Sequence, residues 1–169
     1  FLVAVLGILT FSSCDDFLDK KPTNSADSGS AVEKLDDAQV MMNGIMTKIS
    51  SSSYLGRNFF LYADAKGGDL TITSIGQNND LYLYNHTAGS NTYSGFWTVG
   101  YNTILQINNL LANIEKMEAA GSTENFSDMK GQALTVRAMI YFDLVRLYGQ
   151  PYNEDKSAWG VPNVLEPLD

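Results

Sequence analysis

Apolar positions recur at helical spacing in three blocks of the chain, and polar, glycine- and serine-rich stretches separate them. The first block carries Leu35, Ala38, Met42, Ile45, Met46 and Ile49, one apolar face of a helix. Ser30 and Glu33, three apart ahead of that run, read as a capping box in which hydroxyl and carboxylate satisfy unpaired backbone N–H groups. The serine run 50–53 should end the helix. A second block, from about 92 to 119, places Trp97, Tyr101, Ile104, Leu105, Leu111 and Ile114 on one broad stripe, with Gly121 as its stop. A third, from about 127 to 148, carries Ala133, Leu134, Ala138, Tyr141, Phe142, Val145 and Tyr148, and Gly149 and Pro151 close it.

Residues 54–93 keep no sustained helical period. A short helical turn is expected at 58–62. The segments 70–75 (LTITSI) and 81–84 (LYLY) alternate as short strands would, between glycines and asparagines. An irregular connection of this length in a compact domain is usually functional. The tail 157–169 (SAWGVPNVLEPLD) reads as extended and bounded by proline, with no packing partner of its own. Two long helices joined by a short glycine-containing link predict an antiparallel hairpin, the unit of tetratricopeptide-like stacking. No 34-residue self-similarity accompanies it, so the likeness is one of architecture. The fold class expected is mainly α: helical hairpins with long irregular loops and a little β.

The N-terminus follows another rule. Residues 1–11 (FLVAVLGILTF) are uncharged and nearly all apolar. The run is shorter than the roughly 20 residues a membrane span needs, and it fits the core of a secretory signal. Ser12 and Ser13 lead to Cys14, the only cysteine, and then to Asp15 and Asp16. This resembles a bacterial lipobox, with Phe11 where leucine is usual, and it makes Cys14 the expected lipidation site. One acyl chain holds a membrane only marginally, whereas several on one cysteine anchor stably. A buried, inert thiol is the competing reading, but a core strand would not sit at an extreme N-terminus ahead of CDD. The division expected is a signal peptide at 1–13 truncated at its start, a lipidated tether at 14–30, and an incomplete helical domain at 31–169.

Composition narrows the function. At 44% hydrophobic and 18% charged, the 169 residues read as globular. The net charge of −8 excludes non-specific nucleic-acid binding, which needs clustered cations to replace phosphate counterions, and disfavours adhesion to anionic headgroups. Nine Tyr, eight Phe and two Trp suit carbohydrate stacking and a helical core equally.

Catalytic and metal chemistry find little support. His86 is the only histidine, so a zinc site or a Ser-His-Asp triad would rest on it alone. Asp64 and Asp69 flank Gly67 and Gly68 and could suggest a glycosidase carboxylate pair, but turn residues are the better reading. Gly67-Gly68 lacks the Lys-Ser/Thr of a phosphate loop. Trp97 and Tyr101, four apart, are more readily core than a sugar platform. Arg137, with Asp143 and Arg146 nearby, points to an internal ion pair. No catalytic residue, metal or cofactor is assigned. The ligand-contact candidates are Tyr82, Tyr84, His86 and Tyr93, with Asp69, Asn78 and Asn79 as hydrogen-bonding partners, all in the irregular segment.

Three stretches in order carry a family resemblance. Residues 131–151, GQALTVRAMIYFDLVRLYGQP, resemble the signature helix of the SusD/RagB family, A-x-x-L-R-A-x-x-Y-F-x-L-V-x-x-Y-G-x-x-P. Arg137, Ala138, Tyr141, Phe142, Leu144, Val145, Tyr148, Gly149 and Pro151 match, with Pro151 one residue early. Phe96, Trp97, Tyr101, Asn102, Ile104, Asn108, Asn109, Leu110 and Leu111 resemble the family's preceding helix, and CDDFLDKKPTN its mature N-terminus. Family members are much longer, and the chain resembles their N-terminal third. The resemblance implies a lipid-anchored protein on the outer-membrane surface of Bacteroidetes that is not an enzyme. It would capture oligosaccharide and hand it to a TonB-dependent, SusC-like β-barrel transporter. A peptide-capturing relative on the same scaffold, or a surface glycan hydrolase, is the alternative.

Overall fold

A computed structural model describes residues 32–71, 73, 79–85, 87 and 94–168. The signal run, Cys14, the tether and Ser30 lie outside them, as do Asn78, His86 and Tyr93. Five helices follow in order: α1 (Leu35–Ile49), α2 (Asn58–Gly67), α3 (Asn79–Tyr82), α4 (Ser94–Ala119) and α5 (Ser127–Tyr148). Among the described residues there is no strand. The mainly α expectation holds.

The first helix begins at Leu35, five residues past Ser30, and its cap is built differently from the expected box. Asp37 Oδ2 accepts the N–H groups of Glu33 (3.1 Å) and Lys34 (3.2 Å). Glu124 Oε2, from the link between α4 and α5, accepts that of Leu35 at 2.6 Å. Carboxylates at a helix start satisfy free N–H donors and suit the positive end of the helix dipole. Ala38, Met42, Ile45 and Ile49 form the buried stripe, while Met46 faces outward. Ser50 ends the helix, its N–H and hydroxyl both bonded to the Met46 carbonyl.

Turns at 50–57 then drive Tyr54 into the core, fully buried. Gly56 makes this reversal possible. A Cβ there would lie 2.5 Å from the Ser50 carbonyl oxygen and 2.8 Å from that of Ser51. The helical turn expected at 58–62 extends to the ten residues of α2, stopped by Gly68 at φ +85 with its N–H on the Asp64 carbonyl. The LYLY segment is not a strand. Leu81 is buried and Leu83 exposed, and the N–H groups of Leu83 and Asn85 bond to the carbonyls of Asn79 and Asp80. A single apolar plug on a helical turn satisfies its own backbone, and alternation over four residues does not distinguish the two conformations.

Helices α4 and α5 form the expected hairpin. Gly121, at φ +88, turns the chain, and Asn125 Oδ1 receives the Ser127 N–H at 3.0 Å. The bounds expected for α5 are those observed, and α4 is described from Ser94 to the expected end at Ala119. Phe96, Ile104, Ile107, Leu110 and Ile114 of α4 meet Met129, Ala133, Val136, Ile140 and Leu144 of α5 in one core. Gly100 lets the two helices close: a Cβ there would meet Leu144 and Ile140 at 3.3–3.4 Å. Helix α1 runs antiparallel along α4, its start beside Glu124 and its end near Gly95.

Two expectations are corrected. Only part of the predicted face of α5 is buried: Ala133 is in the core, but Leu134, Ala138, Phe142 and Val145 are exposed, and Tyr141 and Tyr148 half-buried. The helix is apolar round most of its circumference, so periodicity alone could not choose the side that meets α4. The tail does have a packing partner. Residues 161–166 run back along α4 and α5 as a strap, described next.

Candidate functional site

The expected contact residues that are described gather where the end of α2 meets α3. Asp69 follows the Gly68 cap, and its N–H bonds to the Asp64 carbonyl at 3.0 Å, so it is a turn residue with an exposed side chain. Asn79 and Tyr82 open and close α3, both half-buried. Tyr84, at φ +55 and largely exposed, donates its hydroxyl to the Lys66 carbonyl, and the Lys66 ammonium lies 5.9 Å from its ring centre. The hydroxyl bond ties α3 to α2, while Leu81 anchors the turn from beneath. Exposed Tyr84 and Asp69 and half-buried Tyr82 and Asn79 thus lie around the junction of α2 and α3, with rings and hydrogen-bonding groups of the kind a neutral polar ligand uses. Asp64 sits within α2 and Asp69 past its end. Asp69 is the turn residue expected, whereas Asp64 is helical and contributes only its carbonyl to the cap.

A second constellation joins residues of the two helical motifs. Tyr101 donates to the Pro162 carbonyl at 2.7 Å. Asn108, 1% exposed, donates through Nδ2 to the carbonyls of Val164 and Glu166, each at 3.0 Å. Its Oδ1 accepts from the Arg137 guanidinium at 2.8 Å, and Arg137 also reaches the Leu165 carbonyl at 3.3 Å. Tyr141 donates its hydroxyl to the Val164 carbonyl and accepts the Val164 N–H, both at 2.7 Å. Apart from the bond between Arg137 and Asn108, every one of these goes to the strap's main chain. Its side chain at Leu165, like that of Leu168 beyond it, stays exposed. Arg137 therefore serves the strap and takes no part in the expected ion pair.

That pair forms between Asp143 and Arg146, one turn apart on α5. Asp143 is buried, and it also accepts the Tyr54 hydroxyl at 2.5 Å. Burial, and then the carboxylate beside it, push the Tyr54 phenol far above its ordinary range. Arg146 lies against the rings of Phe59 and Phe142, at 5.6 and 4.6 Å. Burial also raises Tyr62 and Tyr101, the latter further through Tyr141.

Trp97 belongs to the packing. Its ring lies 4.7 Å from that of Tyr101 and edge-on to Tyr148 at 4.9 Å. Among the described residues, no three His, Cys, Asp or Glu side chains are placed to hold a metal ion. No described helix is long and apolar enough to cross a membrane.

Over residues 16–167 the chain matches a family profile, SusD-like, described as starch-binding and associating with the outer membrane. Two solved structures from Bacteroides vulgatus resemble the fold. One is a proposed sugar-binding protein, 30% identical with a TM-score of 0.70, the match covering 83% of this chain and 32% of that one. The other is a SusD superfamily protein, 26% identical with a TM-score of 0.66, covering 78% of this chain and 30% of its own. The chain thus spans about a third of the length of these relatives. No curated protein matches it.

Proposed function

The chain belongs to the SusD-like family, and on that premise we propose that it is the N-terminal part of a cell-surface protein that captures glycans for uptake. In this reading Cys14 carries the lipid anchor, and the protein caps a TonB-dependent, SusC-like β-barrel transporter to which it passes oligosaccharide. The role is binding and transfer rather than catalysis. The observation that carries the proposal is the family match across nearly the whole chain, joined to its 30% identity with a proposed sugar-binding protein.

The geometry supports a division of labour. The α1, α4 and α5 core, closed by the strap, supplies a rigid scaffold, and the irregular edge supplies ligand contacts. Tyr82 and Tyr84 offer rings for stacking against sugar faces, and Asp69 and Asn79 offer hydrogen-bonding groups for hydroxyls. Asn78, His86 and Tyr93, from the same stretch of sequence, complete the proposed set. A rigid support beneath mobile-ligand contacts reduces the ordering cost of binding. The test is titration calorimetry of the complete gene product with maltoheptaose and a panel of xylan, β-glucan and mannan oligosaccharides. Binding of at least one, without shortening of the oligosaccharide, is expected. No binding to any would overturn the reading, and steady release of shorter products would favour a hydrolase.

A further inference from the structure

The chain holds two tryptophans in opposite settings. Trp97 is packed between Tyr101 and Tyr148, whereas Trp159 is 94% exposed. Tryptophan is among the most extensively buried residues on average, so an indole held out in water calls for a reason. Its position is set by the segment around it, residues 150–160, between the end of α5 and the strap.

Both ends of that segment lie beside the same residue. At Gly149 a Cβ would lie 2.7 Å from the Val145 carbonyl oxygen and 3.0 Å from Val145 Cγ2, so only glycine lets the chain leave the helix there. At Gly160 a Cβ would meet Val145 Cγ2 at 3.8 Å, an ordinary contact. Between these points the backbone closes on itself. The Pro151 carbonyl accepts the N–H groups of Glu154 (2.9 Å) and Asp155 (3.3 Å). Asp155 Oδ1 accepts both the N–H (2.9 Å) and the hydroxyl (2.7 Å) of Ser157, which holds its carboxyl below the usual range. Immediately beyond Trp159, Val161 packs against the core, and Tyr101 holds the Pro162 carbonyl. The indole is therefore exposed on a backbone fixed on both sides. In the same turns Tyr152 is 69% exposed, with the Lys156 ammonium 5.7 Å from its ring centre.

We propose that residues 151–160 form a second glycan-contact element, with the face of Trp159 as the platform for a sugar ring. Asn153 and Glu154, exposed in the same run of turns, are the hydrogen-bonding groups assigned to the ring's hydroxyls. The C–H face of a pyranose is apolar and its rim is polar. A planar ring with low conformational entropy, on a turn segment that also carries exposed polar residues, matches both features. The pinned turns mean that little is lost in ordering the platform on binding. The inference rests on the glycan-capture reading, and it adds a contact site on a different part of the chain from the α2–α3 edge.

The test combines calorimetry with hydroxyl-radical footprinting of the complete gene product, using maltoheptaose and the same oligosaccharide panel. Trp159 should oxidise readily in the free protein and be protected several-fold by a saturating ligand. Trp159→Ala should weaken binding about ten-fold, and Trp159→Phe should retain most of it, with the thermal transition of both unchanged. If a glycan binds while Trp159 oxidises as before and Trp159→Ala binds normally, this platform is refuted and glycan capture stands. Protection of Trp159 before any sugar is added would also refute it, since the rest of the protein, a lipid surface or a partner then covers the ring. A protein that binds no member of the panel defeats the glycan-capture reading, and this proposal falls with it.

Discussion

Replacing Asn108 with alanine tests whether the motif residues of α4 and α5 act as a clamp on the strap. The substitution removes two neutral hydrogen bonds, to the carbonyls of Val164 and Glu166, and one charge-assisted bond from Arg137. Neutral bonds contribute about 0.5–1.5 kcal/mol each and bonds to charged groups about 1.5–3 kcal/mol. Arg137 keeps the Leu165 carbonyl, Val164 keeps Tyr141, and the Glu166 carbonyl lies near water, so part of the loss is recovered. A net weakening of about 2–4 kcal/mol is expected, concentrated in the strap. The Val164 amide, bonded to the Tyr141 hydroxyl, reports on it directly. At about 1.4 kcal/mol per factor of ten, its hydrogen-exchange protection should fall by about 30- to 700-fold in the complete gene product. Amides in the middle of α4, such as that of Ile107, should change far less. Unchanged protection at Val164, or an equal fall at Ile107, would refute the clamp and make Asn108 an ordinary packing residue.

Two further outcomes follow from the core. Tyr54 ionises near pH 10 in the unfolded chain and only at much higher pH when folded, so its contribution is full below about pH 10 and lost as pH rises above it. Urea midpoints measured from pH 7 to 11 should drop at the alkaline end. Tyr54→Phe should flatten that drop in part, because Tyr62 and Tyr101 shift the same way, and should cost about 1–3 kcal/mol at neutral pH by leaving buried Asp143 short of a donor. At Gly100, alanine should be near neutral, since helix propensity of up to about 1 kcal/mol offsets a tight contact with Leu144 and Ile140. Valine should destabilise by about 1–3 kcal/mol through overpacking, read as a lower denaturant midpoint.

The long helices were legible because each carries many apolar positions between strong stops: Gly121 after α4, and Gly149 with Pro151 after α5. The orientation of α5 was not, because Leu134, Phe142 and Val145 are as apolar as Ile140 and Leu144, and only the neighbouring helices decide which side is covered. The strap escaped notice for a different reason. Its bonds join Pro162, Val164, Leu165 and Glu166 to side chains 23 to 61 positions away, and main-chain carbonyls leave no mark in a sequence. Asn108, Arg137 and Tyr141 stood out as motif residues, while their partners did not. The expectation for Arg137 failed because Asp143 and Arg137 lie on different flanks of α5, six residues apart, and Arg146 is one turn from Asp143. Of the α2–α3 edge, the residue types were readable but not the helical turn that groups them. Trp159 was hidden because exposure of a lone aromatic is settled by what packs around it.

The central claim is that this is the capturing half of an uptake pair. The most direct measurement is affinity purification of the tagged complete gene product from detergent-solubilised outer membranes, with the co-purifying proteins identified by mass. The account predicts a stoichiometric TonB-dependent β-barrel transporter. Recovery of the protein alone, under conditions in which the membrane's other complexes remain intact, would contradict it.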